Sequence, residues 1–280
     1  MRLGGTVVGS WETPEQWETL LAQTRFRAVT APFDCRTPKD EVARYLEICA
    51  RHDVAIAEVG VWRNPFDPDP QQAAGNLRYA VDQLKLADET GVPCCVNIVG
   101  TASAAGWDAA DRSNFTAETY RRVVDSIRWI IDEARPERAC YCIEPMPWMV
   151  PDSPGAYVQL IADVDRPQFA AHMDFVNMIN CPRRYLDAEA FVERCFRELA
   201  PHIRSTHIKD IRMSPTRLTT LLEEVSPGEG ALDYVQVLQS IDRHLPKDAP
   251  VLLEHMQTAE EYRAAYDYVA AVAAKTGIEI

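Results

Sequence analysis

Short apolar runs alternate with longer amphipathic stretches along the whole chain. The apolar runs predict eight β-strands, at residues 3–9, 26–31, 54–60, 92–98, 139–144, 168–174, 203–209 and 250–255. The amphipathic stretches predict eight helices, at residues 14–24, 38–51, 71–90, 115–135, 153–163, 187–199, 230–244 and 258–276. Uninterrupted alternation of strands and helices predicts a parallel sheet covered by helices.

The number of strand–helix units points to one fold within the α/β class. Eight units close a (β/α)8 TIM barrel, and 280 residues is a typical length for that fold. A doubly wound open sheet is the alternative, but the first predicted turn reads GSWETPEQ and lacks the Gly-rich phosphate-binding pattern. No linker or low-complexity tract interrupts the chain, so we expect a single domain over residues 1–280.

Four successive predicted strands in the second half of the chain end in a polar side chain that buried strands normally exclude. These residues, called the strand-end cluster below, are Glu144, Asp174, His207 and Glu254. The carboxyl ends of barrel strands form one face, where active sites of this fold lie, so we expect the four side chains to converge. Four unrelated ion pairs at the barrel rim are the alternative.

Three carboxylates and one imidazole form an oxygen-rich ligand set. Without a cation the carboxylates would repel one another and one of them would take up a proton. The cluster therefore predicts one bound divalent metal ion, with Mn²⁺ as the first candidate and Mg²⁺, Co²⁺ or Zn²⁺ as others.

Aromatic residues follow the first five predicted strands, on the same face as the strand-end cluster. They are Trp11, Phe33, Trp62, Phe66, Trp107 and Trp148. Tryptophan faces pack against the C–H surfaces of sugars and against flat aromatic groups. We expect an apolar ligand pocket in which Trp62, Trp107 and Trp148 contact the substrate; aromatic residues that only seal the barrel top are the alternative.

Other polar residues near the predicted strand ends allow two roles each. Lys209 lies two residues past His207 and either donates to a substrate oxygen or neutralises the carboxylates. Glu58 either hydrogen-bonds substrate hydroxyls or lies below the site. We expect His172 one layer deeper in the barrel, as a core or supporting group, and His255 on the side facing the helices.

Composition and charge narrow the classes of function and location. The net charge of −13 opposes binding to a phosphate backbone, so we expect no nucleic-acid partner. No apolar run reaches membrane-spanning length and the first residues lack the apolar core of a signal peptide, so we expect a cytoplasmic protein without a membrane partner. The eight cysteines include no Cys-x-x-Cys spacing and are interpreted as small buried hydrophobic residues in a reducing compartment.

The order Glu, Asp, His, Glu in the strand-end cluster resembles the xylose-isomerase-like TIM barrels of the sugar (phosphate) isomerase/epimerase superfamily. Two motifs strengthen the resemblance, which covers essentially the whole chain. His-Ile-Lys-Asp at 207–210 is similar to the H-x-K-D strand of that group. Pro-Gly-Glu-Gly at 227–230, followed by Asp233-Tyr234, is similar to its P-x-G-E-G…D-[FWY] segment.

The resemblance to the ketose 3-epimerase branch implies a metal-dependent sugar isomerase or epimerase. The four residues of the strand-end cluster would bind the metal ion, and Glu144 and Glu254 would also transfer protons. One glutamate would remove a proton from the carbon next to a sugar carbonyl, and the other would return it. The cation would stabilise the resulting enediolate.

The chain departs from that branch where the substrate is contacted. Asn177 stands where a substrate-contacting histidine is usual, and Val150 stands where a second substrate-contacting glutamate is usual. Arg212 is the counterpart of an arginine expected soon after the metal-binding histidine, at a slightly different spacing. The apolar strip at 146–150 indicates a substrate bulkier or less hydroxylated than a free ketohexose.

Three other functions are compared with the isomerase. A lyase or deglycosidase would use the same enolisation on 3-oxo-glycosides, including C-glycosides, which the similar C-glycoside deglycosidases suggest. A non-catalytic sugar-binding barrel would bind a small-molecule sugar without proton transfer. Endonuclease IV shares the barrel, but six histidines and a charge of −13 do not suit its histidine-rich three-zinc site and DNA-facing surface. Barrels of this kind commonly pair, so we expect a homodimer or a hetero-oligomer.

Overall fold

Eight parallel strands close into a barrel in the computed structural model, which describes residues 1–280. The barrel strands are β1 (Arg2–Gly5), β2 (Ala28–Thr30), β3 (Ala55–Gly60), β4 (Cys94–Asn97), β5 (Cys140–Ile143), β6 (Phe169–Asp174), β7 (Ile203–Ile208) and β10 (Pro250–Leu253). Pairing of Leu3 with Val251 and of Gly5 with Leu253 joins the first strand to the last. The predicted (β/α)8 TIM barrel is confirmed.

Ten α-helices surround the barrel or lie in its loops. They are α1 (Pro14–Leu21), α2 (Lys39–Arg51), α3 (Pro70–Thr90), α4 (Ala117–Ala134), α5 (Pro154–Val164), α6 (Phe175–Met178), α7 (Pro182–Leu186), α8 (Ala188–Leu199), α9 (Tyr234–His244) and α10 (Ala259–Thr276). Short 3₁₀ helices lie at Arg112–Phe115 and Ala200–His202. None of the helices combines the length and the apolar character needed to cross a lipid bilayer.

Local capping chemistry determines where several helices begin and end. The Thr13 hydroxyl accepts a hydrogen bond from the backbone N–H of Gln16, and Pro14 occupies the first turn of α1. Thr258 and Glu261 form a reciprocal capping box at the start of α10. Gly91 adopts a left-handed conformation with φ of 76°, which ends α3 directly before β4.

The segment between β7 and α9 contains two strands that the sequence pattern did not predict. It contains an antiparallel hairpin of β8 (Asp210–Met213) and β9 (Leu222–Val225), and α9 begins at Tyr234 instead of residue 230. The buried Asp210 carboxylate accepts four backbone N–H groups, from Ile211, Gly228, Gly230 and Leu232. These bonds hold the segment in a non-helical conformation.

Buried apolar residues form one large cluster and two small ones. The large cluster joins 67 residues of the strands and the helices. A separate small cluster contains Cys94, Val96, Cys140, Cys142 and Ala170, taken from alternate positions of three neighbouring strands. All eight cysteines are free; six are buried as expected, whereas Cys35 and Cys181 are half-buried.

Candidate metal centre and cavity

The four residues of the strand-end cluster converge at the carboxyl ends of four neighbouring strands. Asp174 ends β6 and pairs in register with His207 on β7, while Glu144 and Glu254 directly follow β5 and β10. One potential ligand atom from each of the four lies within 4.8 Å of the others. The arrangement is that of a single centre instead of four separate ion pairs.

The Nδ1 atom of His207 lies at the middle of this cluster. It is 2.9 Å from Oε1 of Glu254 and 3.5 Å from Oε1 of Glu144, yet it has no hydrogen-bond partner. A buried imidazole nitrogen without a partner, surrounded by carboxylate oxygens, suits coordination of a cation better than protein contacts alone. The donor set therefore fits a divalent metal ion bound by hard oxygen ligands and one imidazole.

Lys209 supplies a positive charge behind the cluster. Its fully buried ammonium lies 2.5 Å from Glu254, 2.7 Å from Asp174 and 3.1 Å from Glu224. This burial corrects the expectation that Lys209 donates to a substrate oxygen and supports its other predicted role, neutralising carboxylates. The ammonium balances one of the three negative charges of the strand-end cluster. The two that remain match the charge of a divalent cation.

Burial and neighbouring charges shift the pKa values of these groups. Burial raises the pKa of Asp174 to about 7, although the Lys209 ammonium acts in the opposite direction. Burial also acts to raise the pKa of Glu254, but His207 and Lys209 outweigh it and hold that pKa well below its ordinary value. Burial therefore makes Asp174 easier to protonate than an ordinary aspartate.

A second polar layer lies beneath the cluster, inside the barrel. Glu58 Oε1 is 3.2 Å from Nε2 of His207, and Glu58 Oε2 is 3.0 Å from the Ser205 hydroxyl and 3.2 Å from Nδ1 of His172. Glu58 is 1% exposed and His172 is fully buried. Glu58 thus lies beneath the strand-end cluster while still lining the cavity, and His172 lies one layer deeper than Asp174.

A cavity of about 1,040 Å³ opens above the strand-end cluster. Trp62, Trp107 and Trp148 line it and are each 37–43% exposed. The three other aromatic residues predicted for this face do not line the cavity. Phe33 and Phe66 are buried in the core, and the partly buried Trp11 packs against the core.

Asn177 connects the cavity wall to the cluster. It lines the cavity, and its amide nitrogen donates to Oε1 of Glu144 over 3.3 Å. Its side chain therefore contacts Glu144 and faces the cavity.

The β8–β9 hairpin adds polar groups to the cavity that the sequence did not reveal. Strand alternation points Ile211 and Glu224 towards the cavity and Arg212 away from it. Arg212 is exposed and pairs with Glu223 over 3.2 Å, which contradicts its predicted role in substrate binding. Alternation within the DIRM and LEEV segments would have identified Glu224 only if the hairpin had been predicted.

The prediction for His255 is also wrong. Its backbone φ of 63° turns the imidazole into the cavity instead of towards the helices. Nδ1 lies 2.6 Å from Glu224, and Nε2 lies 3.3 Å from Glu254. The hydrogen bond with Glu224 is the main reason why the pKa of His255 is raised.

Comparison with known proteins relates this geometry to a family. The family model described as xylose isomerase-like TIM barrel matches residues 19–272. Comparison with curated proteins finds no match for the chain.

Solved structures with the same fold include proteins with metal or sugar chemistry in their descriptions. A xylose isomerase-like TIM barrel protein from Mycobacterium smegmatis in complex with magnesium is 16% identical, with 95% of this chain and 90% of that chain covered and a TM-score of 0.68. The 3-keto-D-glucoside 4-epimerase YcjR from E. coli is 13% identical, with 97% and 99% covered and a TM-score of 0.69. D-psicose 3-epimerase from Clostridium cellulolyticum H10 is 14% identical, with 97% and 99% covered and a TM-score of 0.68. Likeness at these identities establishes the fold alone.

Proposed function

Because the chain belongs to the xylose isomerase-like TIM barrel family, we propose that it is a divalent-metal-dependent sugar isomerase or epimerase. The reaction would move a proton at the carbon next to a substrate carbonyl. The observation that carries the proposal is the convergence of three carboxylates on the unpartnered Nδ1 of His207 at the floor of a large cavity.

The residues around the cavity support this chemistry. A divalent cation held by the strand-end cluster would stabilise negative charge on a substrate oxygen as the adjacent C–H proton leaves. Glu144 and Glu254 would carry the proton, because both carboxylates line the cavity on separate strands. Asn177 orients Glu144, and Lys209 holds one oxygen of Glu254. The three cavity tryptophans would pack against the sugar and exclude water.

The cavity also supports a second candidate reaction. Its volume of about 1,040 Å³ slightly exceeds the range of roughly 300–1,000 Å³ typical of small-molecule sites. Met146, Pro147 and Trp148 give one wall an apolar surface that suits an aglycone. Enolisation of a 3-oxo-glycoside there would expel the aglycone by elimination, which makes a lyase the alternative. The epimerase YcjR carries the name of a 3-keto-glucoside enzyme, which supports substrates of this kind.

Solvent-deuterium exchange tests the proposal directly. Purified protein with Mn²⁺ is incubated in D₂O with candidate ketoses and with 3-oxo-glycosides, and products are followed by NMR. We expect deuterium at the carbon next to the carbonyl. A new sugar epimer or isomer identifies the isomerase, and a released aglycone identifies the lyase. Binding without any exchange would support a sugar-binding barrel instead and overturn the enzyme proposal.

Substitution of Glu254 tests the proton-transfer role. Glu254→Gln removes a proton carrier and weakens a metal ligand, so the exchange rate should fall by about 100-fold or more while the circular dichroism spectrum stays unchanged. Glu223→Gln is the matched control, because Glu223 lies on the exposed side of the hairpin and pairs only with Arg212. A wild-type exchange rate in the Glu254 variant would refute the assignment.

A further inference from the structure

The side chain of Glu58 lies in the barrel interior beneath the proposed metal centre. Barrel interiors of this fold are filled mainly by apolar side chains, and burial of a carboxylate without partners is unfavourable. Glu58 nevertheless reaches from β3 to the opposite strands β6 and β7, and its side chain is 2% exposed. The Ser205 hydroxyl donates to one oxygen of Glu58 and an imidazole nitrogen lies 3.2 Å from each oxygen, so the side chain has the surroundings of an ionised carboxylate.

The two oxygens of Glu58 have different partners. Oε1 lies 3.2 Å from Nε2 of His207, and Oε2 contacts the Ser205 hydroxyl and Nδ1 of His172. An ionised carboxylate only accepts hydrogen bonds, so Nε2 of His207 must carry the proton in this contact. A cation bound by the strand-end cluster would keep the imidazole neutral, and its lone pair would then lie on Nδ1, the atom that faces Glu144 and Glu254.

We propose that Glu58 is a positioning residue, which fixes the ring orientation and tautomer of His207 so that Nδ1 is presented to the divalent cation. In this role Glu58 acts through His207. A carboxylate on the far nitrogen of a metal-binding histidine also raises the basicity of the ligand atom. The inference rests on the metal centre of the proposed function.

Two other roles for Glu58 predict different results. A purely structural role, in which Glu58 holds His172 and Ser205 in place, would change the free energy of unfolding but not the tautomer of His207. A ligand role would place a second ion between Glu58, His172 and His207, whose donor atoms also lie within 4.8 Å of one another. That role would give two ions per chain.

Metal affinity in three variants separates these roles. Glu58→Ala removes the acceptor, and Glu58→Gln keeps an acceptor oxygen in nearly the same volume without the charge. Ser205→Ala is the matched control, because it removes a buried hydrogen bond from the other oxygen of Glu58 and leaves the contact with His207. Isothermal titration with Co²⁺ and with Mn²⁺ gives the dissociation constant and the number of ions bound.

We expect wild type to bind one ion. The dissociation constant should rise by about 10–100-fold in Glu58→Ala and by roughly tenfold, the low end of that range, in Glu58→Gln. Ser205→Ala should keep the wild-type constant even where its stability falls. Should Glu58→Ala fail to fold, as judged by circular dichroism, the Glu58→Gln variant decides by the same measurement.

Spectroscopy can show which ring nitrogen of His207 carries the proton. A purely structural role of Glu58 would leave that position unchanged when Glu58 is replaced. Zn²⁺-loaded protein with ¹⁵N-labelled histidine is examined by long-range ¹H–¹⁵N correlation. Wild type and Ser205→Ala should show a protonated Nε2 and a metal-bound Nδ1 for His207. Glu58→Ala should lose the slowly exchanging Nε2–H signal.

The outcomes distinguish failure of this inference from failure of the proposed function. Absence of any bound ion in wild type overturns both. A bound ion with equal affinity and equal histidine spectra in wild type, Glu58→Gln and Glu58→Ala overturns only the role of Glu58. Two ions per chain would make Glu58 a ligand and also overturn the positioning role.

Discussion

At the scale of single residues, the centre depends on a buried positive charge as much as on its carboxylates. The Lys209 ammonium contacts Asp174, Glu224 and Glu254, and all three anions lie within 3.1 Å of it. Burial acts to lower the pKa of Lys209, but Asp174 and Glu254 outweigh burial and raise it well above its ordinary value. Removal of this charge would leave carboxylates close together in a low-dielectric site.

Lys209→Met tests this charge balance. In metal-free protein the free energy of unfolding should fall by about 3–5 kcal/mol, because the change leaves buried charges uncompensated. A divalent cation should recover more stability in the variant than in wild type, since the cation replaces the missing positive charge. Urea denaturation with and without MnCl₂ measures both values. Arg212→Met is the control, because it breaks an exposed ion pair worth about 0–1 kcal/mol. An equal loss with and without metal would contradict the explanation.

At the scale of secondary-structure elements, regular alternation explains which parts could be predicted from the sequence. The strand-end cluster can be predicted because each member ends an apolar run, and parallel strands bring such ends together. The β8–β9 hairpin cannot be predicted from the pattern, because its two strands have only four residues each. In addition, β8 begins only one residue after β7 ends. With the hairpin missed, the inward position of Glu224 and the outward position of Arg212 were missed as well.

His255 illustrates another limit of sequence patterns. If the strand continued past Glu254, alternation would point His255 towards the helices, on the side opposite to Glu254. The structure shows the other direction. The strand ends at Leu253, and the left-handed backbone of His255 reverses the expected side. Non-glycine residues in this conformation are uncommon and cannot be recognised from the residue type alone.

The Asp210 carboxylate connects the hairpin to the loop before α9. Replacing Asp210 tests whether its hydrogen bonds hold that loop in place. Asp210→Asn replaces one acceptor oxygen by an amide group that faces backbone N–H donors, so two of the four hydrogen bonds are lost. We expect a loss of roughly 3 kcal/mol in the free energy of unfolding, because hydrogen bonds to a charged group are involved. Hydrogen exchange should show faster exchange of the amides in 228–232. Unchanged protection of these amides would contradict the role of Asp210.

The contact between α8 and α9 predicts a pH dependence of stability. Glu193 on α8 lies 2.7 Å from Nε2 of His244 and from the Ser240 hydroxyl, both on α9. The hydrogen bond with His244 is the main cause that lowers the pKa of Glu193 from 4.5 to about 2. A lowered pKa in the folded state means that the stabilisation is present above pH 4.5 and is lost as the pH falls towards 2.

Glu193→Gln tests this linkage. At pH 7 the variant should be less stable than wild type by about 1 kcal/mol, a value kept small because the pair is partly exposed to solvent. The difference should shrink as the pH falls from 4.5 to about 2, where Glu193 becomes protonated in the folded protein. Urea denaturation at a series of pH values measures the difference. A constant difference over this range would refute the assignment.

At the scale of the whole molecule, the two halves of the chain make different contributions to the cavity. The strand-end cluster comes from residues 144–254, whereas Glu58, Trp62 and Trp107 come from the first half. Closure of the sheet between β1 and β10 brings these halves to one face. A cation held by four strands of a closed sheet would therefore stabilise the barrel as one unit and not only its loops.

Metal-dependent stability follows from this arrangement. At a free cation concentration of one hundred times the dissociation constant, the free energy of unfolding should rise by about 2.7 kcal/mol. For a chain of this length the midpoint of thermal unfolding should then increase by roughly 5 °C. Calorimetry with Mn²⁺, followed by excess EDTA, measures the increase and its reversal. Asp174→Asn should show less than the full increase because one ligand is weakened, whereas Glu223→Gln should show all of it. No increase in wild type at saturating cation would mean that the strand-end cluster, despite its geometry, does not bind a metal ion.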